Sequence, residues 1–401
     1  MRLILATQGT LGDHLPMVGL AQHLMAYGFE VRLACNREMH AFVQAAGVQP
    51  LTFGIPLASV EACEKALFWD HWQNPPQEHI WSEKIEKSLT SDVSLLIKFL
   101  RPGDVLVGAK NLFFLPLVAR ASGCSLIEVG LNPASMIDYS RLPTARDSLQ
   151  SWALGLRHLE RRLRFYWLGQ SDSSPDPDPM LRLHAVPDVM TPFHYPLLSA
   201  IQTGFWCYQH PEWNDWVPIK SLEQALRGRP APLGLIFSSQ PLHQPVKVLS
   251  DHLEVAQHLG RRLVVVKGWA FGDESQRCHP DLVSLLKHPD LIVLDPLPLE
   301  WLFQRLDAVF IHGGIGTFAR ALQAGCHVVI EPYGNDQFLN ARLAMDNDLA
   351  LVIHPHRWQP QQVVDALKLR LGLIPVRLNS EDFEGLSKAA SMISKRISSL
   401  G

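Results

Sequence analysis

An apolar run in VFIHGGIGTFARALQAG, residues 309–325, ends at His312, is broken by Gly313, Gly314 and Gly316, and then resumes with helical spacing. Glycines let backbone amides approach an anion, and the helix that follows offers the positive end of its dipole. That pattern describes a phosphate cradle with an imidazole at its lip; a plain tight strand-to-helix turn has the same spacing. A second loop, Gly9-Thr10-Leu11-Gly12-Asp13-His14, joins the first strand to the first helix. Asp13 in such a place either caps the helix start or acts as a general base on a bound hydroxyl, with His14 as the alternative base. Asp336 and Gln337 present acceptors and donors suited to sugar hydroxyls, and equally a helix cap.

The same C-terminal loop has a rival reading. Gly314-Ile315-Gly316-Thr317-Phe318-Ala319 matches a dinucleotide fingerprint, with Glu331 at the end of the next strand as a ribose-binding acid, which would make the chain an NAD-dependent oxidoreductase. Against it, the strand runs into His312 before the glycines, and the polar cluster PYGNDQF follows Glu331 at once. The acidic pairs in DPD (176–178) and DND (346–348) resemble metal-holding pairs, but they lie in a proline loop and at a helix end, so no metal site is expected.

Positioning these residues requires alternating strands and helices. LILAT (3–7), EVRLAC (30–35), DVLVGA (104–109) and SLIEVG (125–130) read as strands of a first half, with a helix expected from Met17 to Gly28. PLGLIFSS (232–239), RLVVVKG (262–268), LIVLDP (291–296), DAVFIH (307–312), HVVIE (327–331) and LALVIH (349–354) read as a second. Such alternation predicts an α/β chain with two Rossmann-like, doubly wound parallel-sheet domains facing a cleft. The proline- and aromatic-rich text at 187–218 reads as a linker. The expected domains are 1–200, a linker at 201–220, 221–380, and a C-terminal helix at 381–401 that returns to the first domain.

With 401 residues, 47% hydrophobic and 19% charged, the composition is that of a globular protein of more than one core. A net charge of -3 supplies no field for nucleic acid, so none is expected as a partner. Six cysteines without a CxxC pair, the strand-like opening MRLILATQG and the lack of a long apolar run point to a reduced, cytoplasmic chain.

The stretch LPLEWLFQRLDAVFIHGGIGTFARALQAGCHVVIEPYGNDQFLNARLA resembles the donor-binding signature of inverting nucleotide-sugar glycosyltransferases of the GT-B fold, nearest the sterol glucosyltransferase and bacterial antibiotic glycosyltransferase branch. ATQGTLGDHLPMVGLAQHLMAYGFEVRLA resembles that branch's opening, and TGFWCYQHPEW with SLEQALRGRPAPLGLIFSS its interdomain passage. The resemblance covers about residues 1–50 and 185–355. It puts His312 on the donor's pyrophosphate with Gly313, Gly314, Gly316 and Thr317, Ser239 near the phosphates, Leu297 and Pro298 beside the nucleobase, Asp336 and Gln337 on the hexose, and Asp13 at the catalytic base. The implied reaction is hexose transfer, glucose by default, to a hydroxyl of an apolar acceptor such as a sterol, hopanoid, carotenoid or polyketide. UDP-sugar is the default donor and dTDP-sugar the alternative, with no resident cofactor and no metal. A catalytically silent nucleotide-sugar binder is the alternative function.

The chain departs from the branch in four places. It has Ile311-His312 for a usual pair of histidines, Ile236-Phe237-Ser238-Ser239 for a glycine-rich second phosphate loop, and Arg320 for the acid that grips the ribose in many relatives. Gly108-Ala109-Lys110-Asn111 lacks the aspartate that orients a histidine base, which favours Asp13 over His14. Residues 151–168, SWALGLRHLERRLRFYWL, place Trp152, Leu156, Leu159 and Leu163 on one helical face with Arg157, Arg161, Arg162 and Arg164 around it. That pattern suits peripheral contact with anionic lipid, or an amphipathic helix packed on its own domain.

Overall fold

The computed structural model describes residues 1–54, 56–57, 83–138, 141, 163–164, 167–168, 178–228, 230–242, 244–272, 280–334 and 336–399. The chain divides into two compact units, Met1–Pro211 with Glu384–Gly401, and Glu212–Phe383. Among the described residues the first unit holds a seven-stranded sheet in the order β3-β2-β1-β4-β5-β6-β7. Its strands are β1 (Arg2–Ala6), β2 (Glu30–Cys35), β3 (Gln49–Thr52), β4 (Val105–Ala109), β5 (Ser125–Gly130), β6 (Leu181–His184) and β7 (Ile201–Gln202). The second unit holds six, β10-β9-β8-β11-β12-β13. These are β8 (Leu233–Ile236), β9 (Leu263–Val266), β10 (Leu291–Leu294), β11 (Ala308–Ile311), β12 (His327–Ile330) and β13 (Leu351–Val352).

Neighbouring strands pair in parallel, as in Leu5 opposite Val107 and Ile311 opposite Ile236. The strands LGLI, LVVV, AVFI and HVVI are wholly apolar or nearly so, as strands covered on both faces must be. Counted within each unit, both sheets begin 3-2-1-4-5-6, the doubly wound order. The strand order reverses between the unit's first and fourth strands, and ligands of such sheets bind beyond the carboxyl ends there. In the second unit that point lies between β8 and β11.

Three strands escape sequence reading. QPLT and IQ stand at the two edges of the first sheet, where burial is one-sided and proline is tolerated, and LRLH lies next to one edge with a polar pattern. The expected linker is also shorter than its text suggests. β7 pairs with β6, and Phe205, Trp206 and Tyr208 are buried in the first unit, because aromatic bulk without a period can still fill a core. The terminal helix α6 (Gly385–Ser398) belongs to this unit as well. Its Leu386, Ala389, Ala390, Ile393 and Ile397 share a core with Met17, Leu20 and Leu24 of α1 (Leu11–Ala26).

No helix among the described residues is long and apolar enough to cross a membrane. The amphipathic segment at 151–168 lies outside the described residues, apart from Leu163, Arg164, Trp167 and Leu168. Leu163 is buried, so that position of the apolar face packs into the protein.

Candidate functional site

The helix after β1 starts earlier than its apolar spacing implies, at Leu11 instead of Met17, because Thr10 and Asp13 form a capping box. The Thr10 hydroxyl accepts from the Gly12 amide at 3.2 Å, and Asp13 Oδ2 accepts from the Thr10 amide at 2.8 Å and from its hydroxyl at 3.2 Å. Gly9 makes this possible: at φ 128° it has no Cβ, and one placed there would lie 2.3 Å from Asp13 Oδ2. The helix-start role therefore holds for Asp13, and it fixes a half-buried carboxylate at the exit of the central strand. His14 is fully buried, with Nδ1 2.7 Å from the Thr10 carbonyl oxygen. A carbonyl only accepts, so Nδ1 carries the hydrogen and Nε2 the lone pair, buried on the side of Asn36. Burial holds the His14 pKa below its ordinary value, which weakens it as a base.

In the second unit the predicted donor residues come from the loops after β8, β10, β11 and β12, all at the carboxyl ends of the parallel strands. His312 leaves β11 almost wholly enclosed, and burial pushes its pKa down to about 4. It is thus a neutral imidazole at pH 7, with Nδ1 buried and unpartnered. Gly313 has φ 96°, and Gly314 caps α4 (Ile315–Ala324). A Cβ on Gly314 would meet His312 Nε2 at 2.5 Å, so this glycine makes room for the ring. The amides of Ile315, Gly316 and Thr317 precede the first helical bond, from Phe318 N to the Gly314 oxygen. They open the helix as a group of donors beside an uncharged imidazole.

The loop after β8 is a turn closed by the Gln240 amide on the Phe237 oxygen, with Ser238 in the left-handed region at φ 47°. The Trp269 amide donates to the Ser238 oxygen at 2.9 Å, an approach that Gly268 permits, since a Cβ there would lie 2.1 Å from that oxygen. Ser239 stands half-buried beside it. Leu297 and Pro298 are buried at the start of α3 (Leu299–Phe303). From that helix Glu300 pairs with Arg320, so the cation that replaces the expected acid has a carboxylate against it.

Asp336 and Gln337 open α5 (Gln337–Asp346) in different ways. Asp336 is half-buried and accepts from Asn340 Nδ2 at 2.8 Å. Gln337 is buried; its Oε1 accepts from the amides of Tyr333 (2.8 Å) and Gly334 (3.2 Å), and its Nε2 donates to Gln240 Oε1 at 2.7 Å. Its side chain is mostly engaged within the protein. Sequence reasoning misses two residues here. Fully buried Asn340 also donates to the Gly313 oxygen at 2.9 Å, tying the loop after β11 to Asp336, and Gln240 ties the loop after β8 to the loop after β12. The spacing of Asp336 and Asn340, one helical turn, is the local signal for Asn340, whereas Gln240 meets its partner 97 residues away and has none.

Glu331 is not placed to grip a ribose. It is buried, with Oε1 2.6 Å from His252 Nε2, which removes the acid that the dinucleotide reading requires. Among the described residues no group of His, Cys, Asp and Glu could hold a metal ion. Asp346 and Asp348 of the DND segment pair instead with Arg342 and Arg370.

No protein-family model matches the chain. It is 26% identical over 371 residues to sterol 3-beta-glucosyltransferase UGT80B1 of Arabidopsis thaliana, covering 84% of this chain and 57% of that one. The chain therefore spans little more than half the length of this curated relative. Among solved structures it is similar to the glycotransferase of kitacinnamycin, with a TM-score of 0.68 at 19% identity over 98% of both chains. It is also similar to glycosyltransferase VinC in complex with dTDP, with a TM-score of 0.61 at 18% identity over 100% of this chain and 96% of that one. The fold is GT-B.

Proposed function

We propose that the chain is an inverting hexosyltransferase that moves a sugar, glucose by default, from a nucleoside diphosphate to a hydroxyl of an apolar acceptor. The observation that carries this reading is the convergence, at the switch point of the second sheet, of His312, the amide-lined start of α4 and the Ser239 turn; β8 and β11 lie side by side in register. Likeness to sterol glucosyltransferases supports glucose and an apolar acceptor. The dTDP in the VinC complex supports a nucleoside diphosphate, as UDP-sugar or dTDP-sugar.

In this reading the second unit binds the donor. His312 and the amides around Gly313, Gly314, Gly316 and Thr317 hold the diphosphate with Ser239, Leu297 and Pro298 flank the base, and Asp336 with the remaining N–H of Gln337 meets the hexose. The first unit binds the acceptor, and Asp13 takes the proton from its hydroxyl. The acceptor oxygen attacks the anomeric carbon from the face opposite the diphosphate, the bond from that carbon to the phosphate oxygen breaks, and the configuration inverts. Charge gathering on the diphosphate is met by the imidazole hydrogen and the helix start, so no metal is needed. His14 is the weaker candidate base because its lone pair is enclosed. The arginines at 157, 161, 162 and 164 draw the enzyme to anionic lipid, where an apolar acceptor resides.

The test is titration calorimetry with UDP, dTDP and their glucose conjugates, followed by transfer of labelled sugar to sterol, hopanoid, carotenoid and polyketide acceptors, with and without EDTA. Binding without transfer or hydrolysis would identify a silent binder. Inhibition by EDTA would overturn the metal-free chemistry. Failure to co-sediment with anionic vesicles at low salt would remove the membrane contact.

A further inference from the structure

α2 (Pro245–His258) carries His252 into the interior of the second unit. The ring lies edge-on to Phe310 at 4.6 Å and tilted against Trp358 at 4.4 Å. The side chains of His252 and Glu331 are each 1% exposed. Nδ1 stands 2.6 Å from the Val248 oxygen and Nε2 2.6 Å from Glu331 Oε1. The carbonyl can only accept, so Nδ1 carries a hydrogen. Two lone pairs cannot face each other at such a distance, so a further proton lies between Nε2 and Oε1. The other carboxylate oxygen accepts from the Tyr333 hydroxyl at 3.1 Å. Both ring nitrogens and both carboxylate oxygens are thus committed to one buried chain, the condition under which a polar network rigidifies what it holds.

What it holds is the segment that leads to Asp336. Tyr333 donates its amide to Gln337 and sets its ring against Phe237, 5.3 Å away, at the exit of β8. Gln337 in turn reaches Gln240. The loops after β8 and β12 are therefore tied to each other and to His252, while β11 with His312 lies between those strands. The diphosphate site is built mainly from His312 and the start of α4, and it joins this segment at one remove, through Asn340, which donates to the Gly313 oxygen and to Asp336.

We propose that His252 and Glu331 are positioning residues that, through Tyr333, set Asp336 and Gln337 for the sugar half of a nucleotide-sugar, an inference that rests on the donor reading above. Disturbing the pair should then weaken the sugar-dependent part of affinity and spare the diphosphate. A residue needed only for the core would affect both ligands alike.

The test uses the full chain and calorimetry with UDP, dTDP, UDP-glucose and dTDP-glucose, with circular dichroism and thermal unfolding alongside. Tyr333→Phe and His252→Ala should each weaken the sugar nucleotide roughly tenfold and change the diphosphate by less than about twofold. Glu331→Gln should retain binding, because its amide can donate to Nε2 while its carbonyl accepts from Tyr333. If His252→Ala does not fold, Tyr333→Phe, which removes one hydroxyl only, decides. Equal weakening of diphosphate and sugar nucleotide, or unchanged sugar-nucleotide affinity, would overturn the inference while leaving the donor reading intact. A wild-type protein that binds none of the four nucleotides would overturn both.

Discussion

Replacing His312 by glutamine should change how stability depends on pH in one direction only. Burial holds the His312 pKa at about 4 against an ordinary 6.5. Above pH 6.5 neither the folded nor the unfolded chain binds this proton. Between 6.5 and 4 the unfolded chain binds it and the folded chain does not, so stability falls as the pH falls; below 4 both bind it and the loss is complete. At 1.36 kcal/mol per pKa unit, the depression corresponds to a loss of roughly 3 kcal/mol across that window. The glutamine variant lacks this term. His184, also held at about 4 by burial, and the carboxylates are present in both proteins and cancel in the difference. Urea unfolding followed by circular dichroism at pH steps from 7 to 4 measures it: the stability of the variant relative to wild type should rise by roughly 3 kcal/mol over that range. A difference that does not vary with pH would refute an enclosed, neutral His312. A bound diphosphate reverses the balance, since its oxygens favour the imidazolium, so binding near pH 5 should take up protons, visible as a buffer-dependent enthalpy.

Asp13→Asn should leave nucleotide-sugar affinity within a few-fold and lower turnover by roughly 100-fold or more in initial-rate assays; near-normal turnover would move the base to His14. Thr10→Ala removes the cap of α1 and should cost about 1 kcal/mol in denaturant unfolding, with turnover reduced because the Asp13 carboxylate loses a hydrogen-bond donor; unchanged stability would mean the cap carries little. Gly314→Ala puts a methyl into the His312 ring and should weaken diphosphate binding measured by calorimetry; unaltered binding would show that the ring can move aside at no cost. His312→Ala should weaken the diphosphate by about 1.5 to 3 kcal/mol in the same assay, and unchanged affinity would reduce the loop to a turn.

The sequence by itself determined the apolar parallel strands and the helix that follows Gly313 and Gly314, though not the edge strands or the start of α1. Apolar runs such as LVVV and AVFI have no polar face to offer, so they must be buried on both sides, and that requirement is local. The turn from His312 through its glycines into a helix was legible for the same reason, since such a turn is built from consecutive residues. Only the tertiary structure decided which loops share a site. β8 and β11 are adjacent because the sheet reverses its order there, and nothing in either strand encodes its neighbour. It also decided that Gln337 turns inward to Gln240, 97 residues away, and that Glu331 meets His252 across 79. A side chain's partner at such separation follows from how strands are ordered and packed, whereas spacing along the chain reports only the turn of a helix or the alternation of a strand.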